Sequence, residues 1–207
     1  MNEDAARSWI RDRFGVSRET LLDRYAVLLQ KEAQNQNLIA ASTLDTLWSR
    51  HFVDSAQLIP LTTDAPRGAW VDVGSGAGLP GVVAAILLDR PVALVEPRAR
   101  RAAFLTAVAI ELGLASRITV QPSKIENYRP TNRAAIISAR AVAQLTQLLE
   151  STVHCTDSST IWVLPKGMNA QLEVEAAQHA WQGVFHVEPS ITQPDSGIVV
   201  ARGVRPR

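Results

Sequence analysis

The chain has little of what several large classes of protein depend on. One cysteine, Cys155, excludes an internal disulfide, and four histidines (His51, His154, His179, His186) stand apart from any acidic or thiol cluster. No metal site is therefore expected. The longest apolar run, Val82 to Leu88, falls far short of the roughly 20 residues of a membrane helix. Met1-Asn2-Glu3-Asp4 has neither the basic nor the apolar part of a signal peptide, so a cytoplasmic protein with no membrane partner is expected. Neither sign of charge dominates: 21 Lys and Arg stand against 20 Asp and Glu, so any nucleic-acid face has to be a local patch. Aromatics are only 5% of the residues, and the default for the five tryptophans is packing rather than base stacking.

What is present suits one folded domain. The 207 residues are 46% hydrophobic, enough for one sizeable core and too short for two ordinary domains. Leu21, Leu22, Tyr25, Leu28 and Leu29 form one stripe of a 3.6-residue period, and Ser42 to Asp45 has the form of a capping box before a second apolar face running to Pro60. Residues 1–60 thus read as a helical cap. From Ala69 onward, short apolar runs (70–73, 92–95, 118–120, 135–138, 161–164) alternate with helical patterns (81–88, 98–112, 142–153, 170–180). Such alternation predicts a parallel sheet in an α/β core over 69–207. Runs at 184–187 and 198–201 leave no room for a helix between them, so the seventh strand closes an antiparallel hairpin.

Asp72-Val73-Gly74-Ser75-Gly76-Ala77-Gly78-Leu79-Pro80-Gly81 follows the first strand and opens a helix. Glycines there permit positive φ and close approach of a ligand, and free N–H groups at a helix start would face it. The run satisfies G-x-G-x-x-G, with Glu96 at about the 20-residue distance of a dinucleotide fingerprint. Counted from Gly74, the first glycine after the strand, Leu79 falls where the third glycine or alanine should pack, which disfavours NAD. Two acidic strand ends, Asp72 and Glu96, around a Gly-x-Gly turn suit S-adenosylmethionine instead, with the amide of Gly74 at its methionine end and Glu96 at its ribose hydroxyls. A small-molecule methyltransferase and a non-enzymatic NAD or nucleotide-binding module remain the alternatives on these residues.

Several elements together resemble the RsmG (GidB) family of bacterial methyltransferases, over nearly the whole chain. They are Asn37-Leu38, Arg50-His51-x-x-Asp54-Ser55, the glycine loop with its Gly78-Leu79-Pro80-Gly81 extension, and Glu96 with Arg100-Arg101 and Phe104-Leu105. Ile125-Glu126, Ser138-x-Arg140-Ala141 and Lys166-Gly167 complete the set. The resemblance implies a class I, Rossmann-like methyltransferase that modifies N7 of a guanine in 16S rRNA, as naked RNA or in a small-subunit particle, and as a monomer. It puts cofactor contacts at Gly74, Leu79, Ile125, Glu126 and Arg140, joined by Asp72, Ser75, Gly76 and Glu96 of the loop and strand ends. Glu32-Ala33 replaces the family's usual Trp-Asn, and Lys124 replaces an arginine, exchanging a planar donor for a point charge.

Guanine N7 already carries a lone pair, so its methylation asks for positioning rather than a base. Arg140, after the fourth strand, is the expected bridge between cofactor and guanine, and Lys166, after the fifth, is expected to hold a phosphate; these are the two candidate catalytic residues. Arg50, Arg100, Arg101 and Lys124 are the expected RNA contacts. His154 beside Cys155 is read as a helix-end pair, not a nucleophile with its base, since adjacent helical residues point apart.

Overall fold

In the computed structural model, which describes residues 1–207, seven strands form one sheet. They are β1 (Trp70–Val73), β2 (Val92–Val95), β3 (Ile118–Gln121), β4 (Ile136–Ala139), β5 (Ile161–Pro165), β6 (Trp181–Pro189) and β7 (Gly197–Pro206). Their order is β3-β2-β1-β4-β5-β7-β6. The first five are parallel; β7 runs antiparallel to β5 and pairs with β6 as a hairpin. The expected strands are all present, and the hairpin strands extend well beyond the apolar runs that mark them. Strand order reverses between β1 and β4, where Val73 pairs with Ala139. An open α/β sheet leaves its ligand crevice at the carboxyl ends of such a pair, because the flanking helices depart to opposite faces.

Helices α1 (Glu3–Phe14) and α2 (Val16–Ala33) open the chain and meet at Gly15, whose φ of 85° turns one into the other. The Asn2 side chain caps α1 by accepting from Ala5 N–H at 2.8 Å. The single capped helix expected from Ser42 to Pro60 is not formed. Its place is taken by a 3₁₀ turn at Ala41–Thr46, a π turn at Trp48–Phe52, helix α3 (Val53–Ala56) and a second 3₁₀ turn at Ile59–Thr62. Ser42 makes no capping bond. Apolar periodicity is preserved through the segment, but the hydrogen-bond register changes three times, a change that periodicity does not record.

Helices α4 (Gly81–Leu87), α5 (Ala99–Glu111), α6 (Leu145–Thr152) and α7 (Ala170–Ala177) follow strands β1, β2, β4 and β5. Helix α6 starts three residues later than its pattern predicts, leaving Val142–Gln144 as an irregular bend. The sheet separates two cores. One gathers α1–α5 around Tyr25, Phe52, Trp70 and Leu105; the other gathers α6 and α7 around Trp162 and Trp181. The N-terminal helices thus share a core with the sheet. Tyr25 stacks on Phe52 with centroids 5.6 Å apart, Trp48 meets Phe52 edge-on, and the Tyr25 hydroxyl donates to the Ala77 carbonyl. Those contacts tie the cap to the glycine loop. No helix is long and apolar enough to cross a membrane.

Candidate active site

The glycine loop takes the left-handed turns that its sequence predicts, with φ of 64°, 56° and 92° at Gly74, Gly76 and Gly78. Its amides, however, are not free. Gly74 N–H donates to Val95 O at 2.8 Å, Gly76 N–H to Glu96 Oε2 at 2.8 Å, and Gly78 N–H to Ser75 O at 2.6 Å. The Gly74 amide therefore does not face a ligand; what Gly74 contributes is the absence of a side chain. A Cβ there would lie 2.7 Å from Val142 Cγ2.

Asp72, expected to face the cofactor, is wholly buried beneath the loop. One carboxylate oxygen accepts from Ser138 Oγ at 2.6 Å and the other from Gly81 N–H at 3.2 Å. Trp70 Nε1 completes the chain by donating to Ser138 Oγ at 2.7 Å. Burial pushes the Asp72 carboxyl up to about 6, against the pull of those hydrogen bonds. An acidic side chain already stands at the start of α4, where a dinucleotide pyrophosphate would have to sit. That placement argues against the NAD reading.

Three other expected cofactor contacts prove internal. Leu79 is packed into the core, Ser75 Oγ donates to Asp72 O, and Gly76 is bound through its amide to Glu96. Glu96 is also buried; its second oxygen accepts from Arg98 N–H at 2.9 Å. In this structure its carboxylate pins the loop to the end of β2 instead of opening toward a ribose.

Two cavities lie along the carboxyl edge of the sheet. The first, of about 600 Å³, brings Gly74, Ile125 and Glu126 together as the sequence predicts, adds Lys124, and has Val73, Val95 and Leu148 as apolar walls. Gln147, Glu150 and Ser151 of α6 line its far side and carry no advance signal in the sequence. Apolar walls with a polar rim suit a nucleoside. Lys124 belongs to this cavity, not to a separate RNA face.

The second cavity, of about 620 Å³, holds Arg50, His51, Asp54, Arg140 and Lys166. Arg140 Nη1 donates to Asp54 Oδ2 at 3.2 Å, with side-chain exposures of 21% and 7%. The other oxygen of Asp54 accepts from Thr192 Oγ1 at 2.6 Å and Gln57 Nε2 at 2.9 Å. Asp54 thereby fixes the guanidinium of Arg140 while leaving most of its donors unused. The Thr43 hydroxyl lies 2.8 Å from Ala40 O and 2.9 Å from His51 Nε2, while His51 Nδ1 is buried with no hydrogen-bond partner. Burial first, and Arg140 second, lower the His51 pKa to about 4. The ring is neutral at physiological pH.

Val142 and Ala143 line both cavities. Ala141 precedes them at φ 55°, a left-handed conformation that costs a non-glycine residue about 1 kcal/mol. Lys166 holds the bend in place: its Nζ donates to Ala143 O at 2.6 Å and pairs with Glu173 at 2.8 Å, while Glu173 also accepts from Leu145 N–H. Lys166 is only 8% exposed and fastens this wall, so the expected phosphate contact is not what the structure assigns it. Arg100 and Arg101 are likewise committed, donating to the carbonyls of Asn35 and Asn37 at 3.0 and 2.9 Å. They clamp a loop, whereas Arg50 is exposed and lines the second cavity.

Cys155 lies in the opposite core, its thiol pushed up to about 11 by burial, and His154 bonds Tyr128 O. No thiolate chemistry is served there. Asp54, which the sequence singles out only within the Arg50-His51-x-x-Asp54-Ser55 element, is the partner of Arg140. Its position three residues after His51 puts the two on the same side of a helical turn.

Comparison with known proteins agrees with this geometry. Residues 18–195 match the family model described as rRNA small subunit methyltransferase G. Two curated relatives named ribosomal RNA small subunit methyltransferase G are similar throughout. The one from Sphingopyxis alaskensis is 46% identical over 98% of this chain and 87% of its own, and the one from Rhizorhabdus wittichii is 43% identical over 100% and 95%. Solved structures share the fold. The glycopeptide N-methyltransferase MtfA complexed with S-adenosylmethionine has a TM-score of 0.59 at 10% identity, covering 71% of this chain and 86% of its own. A methyltransferase from Geobacter sulfurreducens has a TM-score of 0.58 at 12% identity, covering 86% and 88%. The sheet order, the two-part crevice and the near full-length similarity converge: this chain belongs to the rRNA small subunit methyltransferase G family.

Proposed function

We propose that the protein transfers the methyl group of S-adenosylmethionine to N7 of a guanine in 16S rRNA. The observation that carries the reading is the pair of cavities meeting at Val142 and Ala143, with Arg140 held by Asp54 on the side away from the glycine loop. The nucleoside part of the cofactor fits between Val73, Val95, Ile125 and Leu148, with Lys124 and Glu126 at its polar rim. When bound, it supplies an electrophilic methyl group on a sulfonium.

The chain's own residues then have one task, orientation. Guanine O6 and N7 share an edge, and N7 must keep its lone pair free for in-line attack. Arg140 therefore donates to O6, not bidentately to O6 and N7. No proton has to leave N7, which fits a pocket whose histidine is neutral. The reading carries a monomeric enzyme, acting in the cytoplasm on 16S rRNA or on a small-subunit particle.

The test is incubation of small-subunit rRNA with methyl-labelled cofactor, followed by borohydride reduction and aniline cleavage, which breaks the strand only at N7-methylguanine. Label and cleavage at one guanine are expected. Incorporation without aniline-sensitive cleavage would overturn the N7 assignment.

A further inference from the structure

The 3₁₀ turn Ala41–Thr46 has two working faces. Thr43 lines the Arg140 cavity, whereas Ala41 and Leu44 help wall a separate cavity of about 360 Å³ against the loop 33–37. Ile39 borders both. The smaller cavity therefore opens directly beside the place proposed for the target guanine.

Its lining is chemically narrow. Ala33, Ile39 and Leu44 supply apolar surface, Gln34, Asn35 and Asn37 supply side-chain amides, and no charged residue takes part. The amides of Gln34 and Asn37 are exposed and have no partner within the protein, and Asn35 reaches Glu32 only at 3.5 Å. The backbone of the same loop is fixed. Arg100 and Arg101 clamp the carbonyls of Asn35 and Asn37, and Gln36 is bound to Glu32 at 2.8 Å and to Arg100 O at 3.3 Å. A rigid loop with unpaired amides over an apolar floor meets the face and the edge of a planar heterocycle together. No cation lines the cavity, and the guanidinium groups of Arg100 and Arg101 beside it are turned to the Asn35 and Asn37 carbonyls.

We propose that this cavity seats the base of a nucleotide flanking the target guanine, its edge read by the amides of Gln34 and Asn37. The inference rests on the reading of the chain as an RNA methyltransferase and adds a second, base-specific point of contact. It also gives Arg100 and Arg101 a purpose: they hold the reading loop in shape without touching RNA themselves.

The test is a cycle between protein and RNA. Small-subunit rRNA fragments carrying an abasic site at each flanking position in turn are methylated by the parent and by the Gln34→Ala, Asn37→Ala double variant, with cofactor affinity and thermal unfolding measured on both. With the parent, one abasic position is expected to lower kcat/KM by about tenfold, the scale of losing one stacked and hydrogen-bonded base. With the double variant, the loss on intact RNA should be similar, and the same abasic site should cause no further fall. The Gln34→Glu, Asn37→Asp pair, which keeps side-chain shape while turning donors into acceptors, replaces the alanine pair if the latter does not fold. It should change which base is preferred at that one position. Equal abasic losses in parent and variant at every flanking position would overturn the seat while leaving the methyltransferase reading intact. Failure of the parent to methylate intact rRNA removes that reading, and the seat with it.

Discussion

Arg140 and Asp54, 86 residues apart in sequence, form one ion pair at 3.2 Å in the wall of the second cavity. The end of β4 supplies the cation and helix α3 the anion, so the segment before the sheet sets the angle at which a strand-end arginine points. The pair makes the N-terminal part of the chain a component of the site.

If that pairing orients the guanidinium, Arg140→Ala should lower the single-turnover rate by roughly a hundredfold, the scale of a lost positioning contact. Arg140→Lys should recover only part, because the planar fork is gone. Asp54→Asn should reduce the rate with cofactor affinity unchanged, a split that calorimetry and rapid-quench kinetics would reveal. In the parent the rate should be flat from about pH 7 to about pH 8.5, since N7 has no proton to lose and His51, with a pKa lowered to about 4, is neutral throughout that range. A titration step that disappears in Arg140→Ala would count against this.

The contact between Gly74 and Val142 offers a second check. Gly74→Ala places a Cβ 2.7 Å from Val142 Cγ2 at a backbone φ of 64°. We expect cofactor affinity to fall by at least about tenfold, the cost of a displaced wall plus left-handed strain of roughly 1 kcal/mol. Adding Val142→Ala should restore most of the affinity but not the lost thermal stability. Equal affinity in Gly74→Ala and the parent would show that this wall does not shape the cofactor cavity.

Asp72 carries a pH signature of its own. Its folded-state carboxyl is raised to about 6 from an ordinary 3.8, so the native state holds its proton more tightly than the unfolded chain. The stabilisation is full below the unfolded value and is lost as pH rises through about 6. Relative to Asp72→Asn, the parent should therefore lose on the order of 3 kcal/mol between about pH 4 and pH 6. His51 acts in the opposite direction, its lowered pKa withdrawing stability as pH falls toward about 4, but it is common to both proteins and cancels in the difference. Parallel melting-temperature curves would contradict the shift.

Salt dependence separates the exposed arginine of the second cavity from the buried lysine. Arg50→Ala should reduce the slope of log affinity for RNA against log salt by about 0.7, the value for one phosphate of a single strand. Lys166→Ala, by contrast, removes an ammonium bound to Ala143 O and Glu173, and should leave the slope unchanged while weakening cofactor binding through the loosened wall.

Strands β1 and β2 and the start of α4 are legible in the sequence to the residue: β2 is an unbroken apolar run, β1 is interrupted only by Asp72, and the glycine loop marks where β1 ends and α4 begins. The stretch from Ala41 to Thr62 is not. Three-, four- and five-residue hydrogen-bond registers all keep an apolar residue on the inner face over one or two turns, so periodicity reports burial without reporting register. Motif and strand end place Gly74, Ile125 and Glu126 on one cavity and Arg140 on the neighbouring one. Lys166, Arg100 and Arg101 are misread for one shared reason: each is bound to a backbone carbonyl, a partner that every residue carries and no sequence distinguishes. The carboxylates Asp72 and Glu96 mislead differently. Their spacing is right for a ligand, yet the amides that take them up belong to the same loop, and only its closed turns bring those N–H groups around.

Val142 and Ala143 present one side to each cavity, and this has a thermodynamic corollary. If an occupant of one side settles that bend into the position the other side requires, the ordering cost falls once, on whichever partner arrives first. The second then binds more tightly by a factor that is the same in either sequence of arrival, since linkage is reciprocal. Shedding the methyl group alters the charge and shape of both occupants at once, and the same wall then transmits that change to each, so release of one product weakens the hold on the other.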